Sequence, residues 1–210
     1  MIDVRRGSDR FCTRTGWLTS WHSFSYGQHY DPANVGFGPL VVSNHDVLVP
    51  GAGFDDHRHS GVDLVTYVVS GGLEHRDSAG HHAVVSAGEL QLLRSGAGLV
   101  HSERNASAED PVEYVQMWLR SDGPATSYER PHGGSVVLPA GLLRVVELGP
   151  GDRVGWPEDE PVHVYLVSGG VTDGQGLELS AGDAMRLSGT AIDLTAETHS
   201  TLLAWSLANG

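Results

Sequence analysis

Short apolar runs rich in Val and Leu recur along this chain, each four to eight residues long and bounded by glycine or polar clusters. Runs of that length, β-branched and closed by turn residues, read as strands rather than helices. The pattern predicts strands over 40–44, 46–49, 62–69, 73–76, 83–86, 89–93, 99–104 and 112–119. Ahead of them, Trp17, Trp21, Phe24 and Tyr26 suit an opening strand packed against the sheet that follows, and Asp31-Pro-Ala-Asn34 reads as a turn. No long stripe at helical spacing runs through the sequence, so no partner helix is indicated.

The pattern then repeats. Tyr67-Val-Val-Ser-Gly-Gly72 recurs as Tyr165-Leu-Val-Ser-Gly-Gly170, Ser86-Ala-Gly-Glu-Leu90 as Ser180-Ala-Gly-Asp-Ala184, and Arg94-Ser-Gly96 as Leu187-Ser-Gly189. Three matches in the same order imply two copies of one small β-barrel. The expected organisation is a first barrel over residues 1–120, a linker over 121–134 rich in Pro and Gly, and a second barrel over 135–210.

Composition narrows the function. The chain has 210 residues and 28 Gly, enough length for a substantial core and enough glycine for the many tight turns of an all-β protein. A formal net charge of −13 disfavours direct contact with nucleic acid. All 13 basic residues are arginine, which excludes Schiff-base and P-loop lysine chemistry. The start, Met-Ile-Asp-Val-Arg-Arg, has no apolar run of a signal peptide, and no segment approaches a membrane span. The expectation is a soluble, cytoplasmic monomer without membrane contact.

Candidate chemistry concentrates between Gly51 and Glu103. Alternate side chains of a strand share a face, so His57 pairs with His59, and His101 with Glu103. Closing a small barrel brings the two pairs over one cavity. Three imidazoles and a carboxylate suit Fe(II), Mn, Co, Ni, Cu or Zn. A closed structural zinc site draws on thiolates, and Cys12 is the single cysteine. With 12 His in 210 residues a His-x-His step arises by chance about 0.7 times, so context decides. The context is Gly51, six residues before His57, the Gly98-x-x-His101 step, and Asn105. Elsewhere the bland readings prevail: His22 as a hydrogen-bonded wall residue, and His75, His81 and His82 as a solvated hairpin tip. Ser102 points away from its neighbours' face and is no nucleophile. No third glycine completes a dinucleotide loop, and no Gly-x-Ser-x-Gly elbow occurs.

The segments Gly53-Phe-x-x-His57-x-His59, Val65-Thr-Tyr67, Gly71-Gly72, Glu74-His-Arg-Asp77, Ser86-Ala-Gly88 and Gly98-x-x-His101-Ser-Glu103 resemble the pirin family of the cupin superfamily. The likeness extends upstream through Trp21-His-Ser-Phe-Ser-Tyr-Gly27, Tyr30-Asp-Pro32 and Gly36-Phe-Gly38, covering most of residues 17–130. It implies an all-β fold of two tandem cupin barrels, also called double-stranded β-helices or jelly rolls. It implies a single divalent metal, Fe(II) first among those above, held by His57, His59, His101 and Glu103. Asp63 stands where the general cupin motif has glutamate, a change expected to affect the ligands' surroundings rather than metal binding.

Shifted onto the second copy, the ligand positions fall on Gly155, Pro157, Leu194 and Ala196, so that barrel is expected to be structural or to lie as a lid on the first. The resemblance further implies quercetin 2,3-dioxygenase activity. A small aromatic substrate and O2 would be the partners, Glu103 would take the flavonol proton, and the ring would open with loss of carbon monoxide. The alternative it implies is a noncatalytic, metal- or redox-dependent regulator that binds a protein partner.

Overall fold

The computed structural model describes residues 1–208. Among them, regular structure is antiparallel β apart from one 3-10 turn at Gly7–Asp9. The chain runs through β1 (Ile2–Arg5), β2 (Phe11–Arg14), β3 (Leu18–His22), β4 (Leu40–Leu48), β5 (Gly53–His59), β6 (Val62–Ser70) and β7 (Gly72–Asp77). Next come β8 (His82–Ser86), β9 (Leu90–Arg94), β10 (Leu99–Asn105), β11 (Val112–Arg120), β12 (Ser127–Glu129), β13 (Ser135–Leu138) and β14 (Gly141–Leu148). Last are β15 (Arg153–Trp156), β16 (Val162–Ser168), β17 (Gly170–Thr172), β18 (Glu178–Ser180), β19 (Ala184–Leu187), β20 (Ile192–Ala196) and β21 (Ser200–Leu207). No helix among the described residues is long and apolar enough to cross a membrane.

Two compact units result, each a two-sheet cupin barrel. The N-terminal unit comprises Phe11–Gly36 and Leu40–Gly133; the C-terminal unit comprises Gly134–Gly210 together with Met1–Arg10 and Phe37–Pro39. In the first, a seven-stranded sheet ordered β12-β9-β6-β11-β4-β3-β2 faces a four-stranded sheet ordered β5-β10-β7-β8. In the second, the orders are β1-β19-β16-β21-β14-β13 and β15-β20-β17-β18. The repeat read from sequence is thus a repeat of strand order.

Three local expectations differ. β1 lies in the C-terminal unit, where Ile2 to Arg5 pair with Leu187 to Ala184, and Arg6 reaches the Asp183 carboxylate at 2.8 Å. Pairing across some 180 residues leaves no local mark on the pattern. The expected linker carries β12, whose Tyr128 lies opposite Leu93 and adds an edge strand to the first barrel. Residues 40–48 form one strand instead of two: Asn44 and Asp46 line a cavity of the first unit, and His45, on the opposite face, bonds the Glu113 carboxylate at 2.7 Å.

That inward polarity organises the N-terminal unit. Gln91, Thr66, Gln116, Asn44 and His22 are mutual register partners across β9, β6, β11, β4 and β3, and all five are buried. On β9, β6 and β11 the residues two places away on the same face, Leu93, Leu64, Val68, Tyr114 and Trp118, are apolar, while on β4 and β3 Asp46 and Ser20 extend the polar row. The polar row therefore divides the core, with Leu48, Val68 and Tyr114 in one cluster and Leu64, Leu93 and Trp118 in the other. In the C-terminal unit the corresponding row is Met185, Val164 and Ala204, in register on β19, β16 and β21. Its interior is a continuous apolar cluster that includes Leu194 and Ala196.

Candidate metal centre

The inner face of the four-stranded sheet carries the chemistry. His57 lies directly opposite His101 across the β5–β10 ladder, and His59 lies opposite Leu99. Past a bulge, Phe54 is opposite Glu103 and Gly53 opposite Arg104. Gly53 is needed for this approach, since a Cβ there would collide with the Glu103 carbonyl and the Arg104 Cα. On the other side of β10, His101 faces Asp77 and Glu103 faces His75 of β7. Three adjacent strands thus each present a pair two residues apart on one surface.

His57, His59 and His101 come together, with ligand atoms within 4.8 Å of one another. The His57 and His101 rings are 4.4 Å apart and the His59 and His101 rings 4.9 Å. His57 donates Nδ1–H to the Asp55 carbonyl at 2.7 Å, which leaves its Nε2 as the lone-pair nitrogen. The Nε2 atoms of His59 and His101 are buried and have no hydrogen-bond partner. Burial, then His101 and His57, lower the His59 pKa to about 4, and burial, then His57 and His75, lower that of His101 to about 3. Both imidazoles are therefore neutral near pH 7. Buried imine nitrogens that converge without partners are costly unless a cation engages them, so the set fits a transition metal.

Glu103 adjoins this cluster through His101, in a second group whose third member is His75. Its carboxylate is cradled: Gln91 donates to Oε1 at 2.9 Å and Gln116 to Oε2 at 2.8 Å. The Gln116 orientation is fixed by Trp118, whose indole N–H, a donor only, reaches Gln116 Oε1 at 2.8 Å. The Tyr128 hydroxyl donates to Gln91 Oε1 at 3.3 Å, and both amides also reach Thr66 Oγ1.

His75 corrects the sequence reading. It is fully buried on β7, donates Nε2–H to Asp77 at 3.1 Å, stacks on Tyr128 at 4.4 Å, and sets Nδ1 3.5 Å from His101 Nδ1. The signal was present, since His75-x-Asp77 has the same two-residue step as the other pairs; proximity to a hairpin masked it. Asp77 lies below the ordinary carboxylate range, burial being outweighed by hydrogen bonds from His75 and His81. His81 and His82 do lie at the exposed hairpin, bonded to Asp77 and Glu74. His22 is a buried wall residue, with Nδ1 3.0 Å from Asn44 Oδ1. Asp63 interacts with Ser121 and Arg94. Asn105, part of the motif read from sequence, spends its amide on the Leu48, Val49 and Asp110 carbonyls, fixing the end of β10. Gln91, Gln116 and Thr66 gave no signal because each stands alone between apolar neighbours, with no polar partner two residues away.

A cavity of about 420 Å³ has Tyr26, His22, Asn44, Asp46 and Phe54 among its walls, and none of the four candidate ligands lines it. Phe54 is 6.0 Å from His57, Tyr26 packs edge-on to Trp118, and Trp118 packs edge-on to His59. Burial, with Asp46 and Glu103 adding, pushes the Tyr26 pKa up to about 12.

Tandem cupin barrels with a three-histidine cluster in the first define a cupin protein equipped for a divalent metal. The family model Pirin matches residues 5–119. A Mycobacterium tuberculosis relative named "Putative quercetin 2,3-dioxygenase" is 38% identical over 98% of this chain and 95% of its own. An Escherichia coli "Quercetin 2,3-dioxygenase" is 40% identical over 62% of this chain and 57% of its own. The crystal structure of the Escherichia coli pirin YhhW in complex with nickel(II) superposes with a TM-score of 0.93, at 30% identity and full coverage of both chains. The chain belongs to the pirin family.

Proposed function

We propose that this protein is a metal-dependent dioxygenase of the quercetin 2,3-dioxygenase type, which opens the ring of a flavonol or a similar enol or phenol using O2. The observation that carries the proposal is the convergence of His57, His59 and His101, with the Nε2 atoms of His59 and His101 buried and unpartnered. The names carried by relatives at 38% and 40% identity support the reaction class. His57, His59, His101 and Glu103 would hold one divalent transition metal, with Fe(II) as the proposed native ion. Mn, Co, Ni, Cu and Zn suit the same nitrogen and oxygen set. When bound, the metal supplies Lewis acidity toward a substrate hydroxyl and redox chemistry toward dioxygen.

The chain's own groups do the rest. Each Glu103 oxygen uses one lone pair on a glutamine N–H and keeps another, so the carboxylate takes the proton of the substrate hydroxyl. The glutamines hold that carboxylate still while it does so. Phe54 and Tyr26 supply aromatic wall to a planar substrate, and the Tyr26 hydroxyl stays protonated as a donor. A concave site of this size supports a small-molecule substrate.

The test is oxygen uptake with quercetin by protein stripped of metal and reloaded with each ion in turn, beside Glu103→Gln. Turnover with one metal that collapses in Glu103→Gln is the expected result. Absence of turnover with every loaded metal would overturn the quercetinase reading and favour the regulatory one or a different substrate.

A further inference from the structure

The proposal concerns what lies behind His101. The chain Asp77–His75–His101 runs across the inner face of β7 and β10, and both Asp77 and His75 have fully buried side chains. A carboxylate only accepts, so His75 must carry its proton on Nε2, bonded to Asp77 Oδ2 at 3.1 Å. That makes His75 Nδ1 an acceptor. The facing His101 Nδ1, 3.5 Å away, then carries the second proton, and His101 Nε2 is left as the lone-pair nitrogen turned to His57 and His59.

We infer that His75 and Asp77 are positioning residues: a buried relay that fixes the tautomer and ring orientation of His101 so that its Nε2 can bind the metal. The inference rests on the metal reading above and adds two residues to it. Orienting partners of this kind, a carboxylate or a carbonyl on the remote ring nitrogen, raise the basicity of histidine ligands. Here an imidazole is interposed, and the carboxylate acts at one remove. His57 receives the simpler version, from the Asp55 carbonyl.

The relay makes a sharp demand on Asp77. Its Oδ1 accepts the backbone N–H of Ala79 at 2.9 Å and of His81 at 3.0 Å. In Asp77→Asn those two donors hold the amide oxygen at the Oδ1 position and turn the amide N–H₂ toward His75 Nε2. His75 must then shift its proton to Nδ1, which points it at His101 Nδ1. His101 answers by moving its own proton to Nε2, where it blocks metal binding. An isosteric change at Asp77, which lies opposite His101 but is hydrogen-bonded to His75 and not to it, thereby inverts a ligand, as the wrong tautomer does in a Ser-His-Asp triad.

The experiment uses the full chain with ¹⁵N-labelled histidine and Co(II) as the probe. Long-range ¹⁵N spectra of metal-free protein should show His101 protonated at Nδ1, and at Nε2 in Asp77→Asn. Co(II) affinity, read by competition titration, should fall about 10- to 100-fold in Asp77→Asn and in His75→Phe, which keeps the stack on Tyr128. In the His75→Phe background, Asp77→Asn should cost nothing more, because the relay is already cut. A merely structural role for Asp77 predicts equal losses in both backgrounds, and that result would overturn the relay. So would an unchanged His101 tautomer in Asp77→Asn. His57→Ala separates the two readings: if it leaves Co(II) binding untouched the metal assignment itself falls, whereas loss there with full affinity in Asp77→Asn sinks the relay alone.

Discussion

Acidification should destabilise the C-terminal unit through His163, by an amount that its surroundings set. His163 lies on β16 with Arg186 and Trp205 as register partners on either side and is 1% exposed. Burial, followed by the Arg186 and Arg10 charges, lowers its pKa from 6.5 to about 3. Because the folded value is depressed, the unfolded chain binds more protons below pH 6.5. The contribution to stability is therefore full above that pH and is lost progressively as pH falls toward 3. Near pH 5 the loss comes to about 2 kcal/mol, a pKa unit corresponding to about 1.4 kcal/mol. Urea unfolding of the wild type and of His163→Gln at pH 7.5 and 5.0 isolates this group, since every other titration is common to both and cancels in the double difference. The variant should show an acid loss smaller by about 2 kcal/mol. Equal acid sensitivity in the two proteins would refute the assignment of a neutral, proton-excluding histidine.

Gly53→Ala should displace β5 from β10, costing about 1–3 kcal/mol and weakening Co(II) binding at the histidines downstream; thermal melting and metal titration check both, and an unshifted Co(II) affinity would show that the strands yield elsewhere. Gln116→Leu leaves the Trp118 indole and one Glu103 oxygen without partners and should cost about 1–3 kcal/mol by urea unfolding, with reduced quercetin turnover. Leu202→Ala, at a 0% exposed position of the C-terminal core, should cost about 2–5 kcal/mol while Co(II) stoichiometry stays that of wild type. Saturation with Co(II) at 100 times its dissociation constant should stabilise the metal-binding unit by about 2.7 kcal/mol, and a chelator should reverse the shift in melting temperature.

The sequence determined more of this protein than its local elements suggest. Period-two spacing placed His57 with His59 and His101 with Glu103, because alternation in a pleated strand is a property of the chain alone. Order within the repeat gave two like barrels, since equal spacing of turns and strands forces the same winding twice. Sequence offsets put Gly155, Pro157, Leu194 and Ala196 at the ligand positions of the second copy. Sheet register, in which Ala196 pairs with Val171 as Asn105 pairs with Leu73, puts Ile192 and Leu194 where His101 and Glu103 stand, apolar all the same.

What only the tertiary structure decided is which chains of contact close across distance. β1 carries no sign of its destination, because its partner β19 lies at the far end of the chain and edge pairing constrains backbone rather than side chain. The same holds for β12, whose Tyr128 enters the site from a stretch whose prolines and glycines read as a tether. Gln91, Thr66 and Gln116 each stand between apolar neighbours, and only sheet register aligns them under Glu103. His75 looked like a hairpin residue because distance along the chain to the turn is short; burial depends on what folds over it. A sequence fixes which side chains share a strand face, and the partners across the barrel are fixed by closure.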